Sequence, residues 1–149
     1  LVIQLSAQAQ ATLTNIRGVQ TYTGSLSDGA TYLIEVPRNW NGTLLLYSQG
    51  YQVEPVPAVD IGGAAGDPLL RFYLLTHGYA LAGSSASIGY RIHEAFSEQI
   101  EVLDTFNTLI GSPARTIAWG HSLGGQVSAG RTTEGRTRFS VVLPAVRAG

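Results

Sequence analysis

The segment Gly120-His121-Ser122-Leu123-Gly124 carries the residues of this chain best spaced to do chemistry. The stretch before it, Arg115-Thr116-Ile117-Ala118-Trp119, is strand-like, and Gly124-Gly125-Gln126-Val127-Ser128-Ala129 reads as the start of a helix. A serine at a sharp strand-to-helix turn sits on constrained backbone. Glycines at 120 and 124 let strand and helix pass close together. Such a serine attacks an acyl carbonyl once a neighbouring base takes its proton. The N–H of Leu123 would then point at the developing oxyanion. One donor of this kind contributes roughly 2.7–4 kcal/mol in the transition state, and the helix start adds its positive dipole end. The competing reading is a tight glycine turn with a surface serine.

The partner base is harder to place. The three histidines are His77, His93 and His121. His121 adjoins the serine, and a sharp turn sends neighbouring side chains in different directions, so it is rejected as the base. His77 and His93 precede the serine at expected helix ends. Together the three show no metal-ligand spacing. After Ser122 there is a single acid, Glu134, in a Gly/Arg/Thr-rich stretch where it reads as a solvated charge, and no histidine.

Composition narrows the class. A chain of 149 residues with 44% hydrophobic and 13% charged residues fits one globular domain with a large buried sheet. A net charge of −1 gives no electrostatic case for nucleic acid or an anionic membrane. No apolar run approaches the ~18 residues of a membrane-spanning helix. Cysteine is absent, which excludes disulfides and thiolate metal sites. Methionine and lysine are absent too, and the chain begins at Leu1, as expected of a processed or truncated piece. Ala7-Gln8-Ala9 and Ala9-Gln10-Ala11 match a small-x-small cleavage site. Residues 1–11 therefore read as the tail of a signal peptide, making the protein secreted, or as a frayed or strand-forming terminus.

Several elements must position Ser122. Thr21–Ser25 and Ala30–Pro37 read as strands around the turn Ser27-Asp28-Gly29, the second with one apolar face. Asn39-Trp40-Asn41-Gly42 is a turn. Thr43–Tyr47 is a continuous apolar run, as in a strand buried on both faces. A long loop, Gln52–Gly66, suits a binding loop or lid. Asp67 caps a helix with Pro68 at its first position, and His77-Gly78 ends it. Tyr79–Gly83 is the next buried strand. Over Arg91–Ile110, Ile92, Phe96, Ile100, Leu103, Phe106 and Ile110 recur at helical steps, with Glu94, Glu98, Glu101 and Asp104 expected to face away. Gly111-Ser112-Pro113 stops this helix, and Phe139–Leu143 is a last strand. The alternation predicts an α/β protein with a mostly parallel sheet, flanking helices and right-handed crossovers. It forms a single domain over 1–149, with 1–29 holding the N-terminus and first strands.

The order of these elements, Gly120-His121-Ser122-Leu123-Gly124-Gly125, and Leu45-Leu46-Tyr47-Ser48-Gln49-Gly50-Tyr51 resemble the N-terminal, nucleophile-bearing half of an α/β-hydrolase, over roughly residues 30–145. The resemblance implies an incomplete α/β-hydrolase fold and a serine esterase-like activity, with Ser122 as nucleophile. In that family the loop after the third strand commonly begins His-Gly and supplies a second oxyanion-hole N–H. The matching positions here are Gln49 and Gly50, so the donor would be Gly50 or Tyr51. Gln49 departs from the usual His, which should alter loop packing or substrate contact rather than abolish a backbone donor. Ser84–Tyr90 matches the loop after the fourth strand and could line the substrate mouth. Gln49, Tyr51 and Tyr90 are candidate lining residues, although aromatic packing under loops also accounts for the tyrosines.

In the family pattern the acid and histidine follow the serine along the chain. They are expected to come from a missing C-terminal half or from a second chain. No cofactor or metal is implied, and the substrate would be a small ester-like molecule. Two other readings remain: a non-catalytic module of the same fold binding a small ligand, and an interaction fragment whose open sheet edge pairs with a partner.

Overall fold

The computed structural model describes residues 11–49, 64–85, 92–121 and 141–145, with the side chains of 92–94, 121 and 141–145 left aside. Seven strands form one sheet: β1 (Thr12–Ile16), β2 (Val19–Ser25), β3 (Thr31–Pro37), β4 (Thr43–Ser48), β5 (Ala80–Ser84), β6 (Arg115–His121) and β7 (Val141–Ala145). Helix α1 (Pro68–Thr76) precedes β5, and α2 (Ile92–Leu109) follows it. The spatial order is β1-β2-β3-β5-β4-β6-β7. Pairing is antiparallel from β1 through β3 to β5, and parallel from β5 through β4 and β6 to β7. The sheet is therefore mixed, and the wound parallel half carries the expected site.

The N-terminal strands are hairpins made by their turns. Arg17 and Gly18 both have positive φ, 52° and 80°, and Ile16 pairs with Val19 across them. Two left-handed residues match the twist of a two-residue hairpin. This hairpin adds β1, which hydrophobic periodicity does not announce because all its residues are exposed. It also starts β2 at Val19 rather than Thr21. In the β2–β3 turn, Leu26 N–H donates to Ala30 O and Gly29 N–H to Leu26 O. Asp28 Oδ1 accepts from Ala30 N–H.

The two faces of the sheet carry separate cores. Tyr32, Ile34, Val36, Leu44, Leu46, Ala80, Ala82 and Ala118 pack with Val102, Leu103 and Phe106 of α2. Leu45 and Leu81 pack on the opposite face with Leu75 of α1 and with Ala64 and Ala65. Burial on both faces explains why β4 and β5 read as unbroken apolar runs.

Both helices have legible ends. Asp67 accepts from Leu70 N–H at 2.9 Å, and Pro68 opens α1. His77 closes it ahead of Gly78, whose φ is +85°. Gly111, with φ +118°, follows α2. The last strand lies two residues beyond its expected start, at Val141–Ala145 rather than Phe139–Leu143. The expected helix from Gly124 and most of the loop 52–66 lie outside the described residues, as do residues 1–10.

Two carboxylates expected on wet faces are buried. Glu35, on the β3 face opposite Ile34, is 2% exposed because α1 covers it. Arg71 of α1 reaches over and donates from Nε to both carboxylate oxygens, at 2.9 and 2.8 Å, and from Nη2 to Oε1. The hydrogen bond to Glu35 raises the Arg71 pKa above its ordinary value, against desolvation, so the guanidinium stays charged. Glu98 is the second, only 3% exposed. It lies one turn before Val102 and two before Phe106, on the buried stripe of α2, so it does not face away. Glu101 also turns back to the protein, accepting from Ser27 N–H and Oγ at 2.7 Å each.

Removing one partner of the Arg71–Glu35 pair strands a buried charge. Arg71→Met is expected to lower unfolding free energy by about 3 kcal/mol, the low end for such pairs because Arg71 is partly solvated. Adding Glu35→Leu should recover most of that loss. Urea denaturation of the two variants checks both statements.

Candidate active site

Parallel pairing fixes which strand ends meet. Leu44 to Ser48 of β4 run level with Thr116 to Gly120 of β6, and Leu44 to Tyr47 with Ala80 to Gly83 of β5. The carboxyl ends of three strands therefore stand side by side at one edge. In parallel α/β sheets this edge is where ligands bind. Ser48 pairs with Gly120, so the chain leaves β4 at Gln49 level with His121, the last residue of β6. The strand expected to end at Trp119 thus runs on through Gly120, which is buried, to His121.

Of the expected site residues, Gln49, Gly120 and His121 are described. Ser122, Leu123, Gly124, Gly50, Tyr51 and Tyr90 lie outside the described residues. Ser122 is the residue after the end of β6, and Gly50 and Tyr51 follow the exit of β4 directly.

Gln49 anchors the exit of β4. Its Nε2 donates to the carbonyl of Ser84, the last residue of β5, at 2.8 Å. Its Oε1 is buried and has no hydrogen-bond partner among the described residues. Ser84 is buried, and its hydroxyl donates to Glu98 Oε2 at 2.8 Å. The next residue on α2, Gln99, donates from Nε2 to the carbonyl of Tyr47 at 2.7 Å. Adjacent residues of α2 therefore hold the ends of β4 and β5. Spacing on α2 offers one sign of this pair: Glu98 and Gln99 each stand one turn before a core apolar residue, Val102 and Leu103.

Aromatic packing supports the edge on the α1 side. Tyr47 and Trp119, paired across β4 and β6, lie with ring centroids 4.8 Å apart and tilted by 49°. Burial pushes the Tyr47 hydroxyl above its ordinary pKa, so it stays protonated at neutral pH. Gly66, with φ +69°, lets the backbone pass so close to this ring that a Cβ there would collide with the Tyr47 hydroxyl. His77 is stacked on Tyr73 at the end of α1, with Nδ1 2.7 Å from Tyr73 O, and takes no part in the edge. Among the described residues, no group of His, Asp and Glu side chains is arranged to hold a metal ion. No described helix is long and apolar enough to cross a membrane.

This fold has counterparts among known proteins. A cold-adapted esterase from an Arctic intertidal metagenomic library superposes with TM-score 0.67 at 18% identity, over 91% of this chain and 64% of that one. An α/β-hydrolase from Penicillium sp. sh18 matches with TM-score 0.62 at 17% identity, over 86% and 46% of the two chains. In sequence, the chain is 34% identical over 111 residues to an o-phthalyl amidase from Xanthobacter agilis, covering 70% of this chain and 22% of that protein. No family model matches. The fold is that of the α/β-hydrolases, present in part. The chain spans about a fifth of the amidase and under two thirds of the esterase.

Gly66→Ala is expected to lower stability by at least about 1 kcal/mol, through positive-φ strain and displacement of the Tyr47 ring. Thermal unfolding gives the loss, and near-ultraviolet circular dichroism should report the disturbed Tyr47–Trp119 contact.

Proposed function

We propose that this chain is the nucleophile-bearing part of a serine hydrolase of esterase type. The observation that carries the proposal is the Ser48–Gly120 register, which sets the exit of β4 beside the end of β6. One strand end leads to Gly50 and Tyr51, the other to Ser122 and Leu123. Ser122 Oγ attacks the substrate carbonyl while a histidine takes its proton. The tetrahedral oxyanion is held by the N–H of Leu123 and that of Gly50 or Tyr51. The histidine returns the proton to the leaving group, which departs and leaves an acyl-enzyme. Water, deprotonated by the same histidine, then releases the acid and frees Ser122. No histidine follows Ser122 in this sequence, so the base and its acid are assigned to residues outside these 149, in a C-terminal part or a second chain.

The substrate class is a small molecule with an ester-like carbonyl. Likeness to an esterase in fold and to an amidase in sequence supports a carboxyl derivative with an oxygen or nitrogen leaving group. The proposed chemistry draws on no cofactor.

A fluorophosphonate probe followed by peptide mass spectrometry tests the assignment. Labelling is expected on Ser122 and is abolished by Ser122→Ala. A chain silent alone that labels once a downstream segment bearing Asp and His is supplied fits the same reading and locates the base. Folded protein that labels under neither condition, or labels equally as Ser122→Ala, contradicts it.

A further inference from the structure

We propose that Glu98, Ser84 and Gln49 are positioning residues that fix the exit of β4, and through it the backbone donors that follow. The proposal rests on the hydrolase reading for what those donors do. Its starting point is a carboxyl group on the buried stripe of α2, where an apolar residue would pack without desolvation. Glu98 instead holds the Ser84 hydroxyl at 2.8 Å. Ser84 is the final residue of β5, so its peptide plane is fixed from one side by the β-ladder and from the other by its own side chain. The Ser84 carbonyl then receives Gln49 Nε2 at 2.8 Å. Tyr47, on the other side of Ser48, has its carbonyl held by Gln99 at 2.7 Å.

The end of β4 is thus gripped by directional bonds, from β5 through Gln49 and from α2 through Gln99. Apolar packing sets how close two elements come but leaves small rotations free; hydrogen bonds to a buried acceptor set angle as well. Backbone donors aimed at an oxyanion need that angular control, because their contribution depends on being in place before reaction. Gln49 takes on this anchoring role at the position where the family commonly has His. Its amide reaches sideways to the end of β5.

The test compares Glu98→Leu, Ser84→Ala and Glu98→Gln in the full chain. Amide hydrogen exchange by nuclear magnetic resonance is read at Tyr47, Ser48, Gln49 and Ser84, with Leu44 and Phe106 as controls away from the edge. Glu98→Leu and Ser84→Ala are expected to speed exchange at the edge by about tenfold or more, leaving the controls unchanged. Glu98→Gln, which can still accept from Ser84, should stay near wild type. A uniform rise at edge and controls would mean a merely structural role, and no rise at the edge would mean no anchoring; either overturns the proposal. If Glu98→Leu does not fold, Ser84→Ala decides. The rate of Ser122 phosphonylation should fall about tenfold or more in Glu98→Leu and Ser84→Ala, with reagent affinity unchanged, and stay near wild type in Glu98→Gln. A wild-type protein unlabelled both alone and with the downstream segment would fault the hydrolase reading, whereas a labelled one whose rate ignores Glu98→Leu and Ser84→Ala would fault the positioning role.

Discussion

Strand β4 has neither a free edge nor a free face. Its backbone is paired with β5 on one side and β6 on the other, and its side chains enter the α2 core and the α1 core alternately. A strand in that position cannot slip. A shift of one residue would exchange Leu44 and Leu46 for Leu45 and break both ladders at once. The register of β4 therefore dictates where β5 and β6 end, at Ser84 and His121. Everything proposed for the site depends on that constraint. The chemistry needs backbone donors and a nucleophile from separate parts of the sequence, and the central strand brings their flanking residues to one edge.

The two helices lock this centre by different means. α2 uses Val102, Leu103 and Phe106 for area, and Glu98 and Gln99 for direction. α1 brings Leu75 and the Arg71–Glu35 pair to the other face. Three of its other apolar residues, Leu69, Phe72 and Tyr73, are 81, 67 and 56% exposed. Apolar content along α1 thus exceeds what its contacts among the described residues bury.

Much of the fold was legible because burial leaves a strong periodic record. The apolar runs of β4 and β5, the cap at Asp67-Pro68 and the stops at Gly78 and Gly111 all have local causes. Four features were not legible. β1 is exposed throughout, its Leu13 and Ile16 included, and the Arg17-Gly18 turn lays it onto β2. Glu35 and Glu98 look like solvent-facing charges until α1 covers Glu35 and α2 packs Glu98 against the end of β5; Arg71 is 36 positions from Glu35, and Ser84 is 14 from Glu98. The chemistry proposed for Ser122 rests on glycine spacing in the sequence, while the polar anchoring of the β4 and β5 ends was not legible there, since it comes from a stripe otherwise read as core. Pairing order also escaped: an alternation of strands and helices predicts parallel neighbours, yet β3 joins β5 antiparallel.

The central claim is that the ends of β4 and β6 together form an oxyanion site around Ser122. A crystal structure of the protein phosphonylated by a dialkyl fluorophosphonate tests it most directly. The account predicts phosphorus bonded to Ser122 Oγ, with the phosphoryl oxygen about 2.7–3.1 Å from the amide nitrogen of Leu123 and from that of Gly50 or Tyr51. A phosphonyl group on Ser122 whose oxygen meets only solvent, or one carried by a different residue, would contradict it.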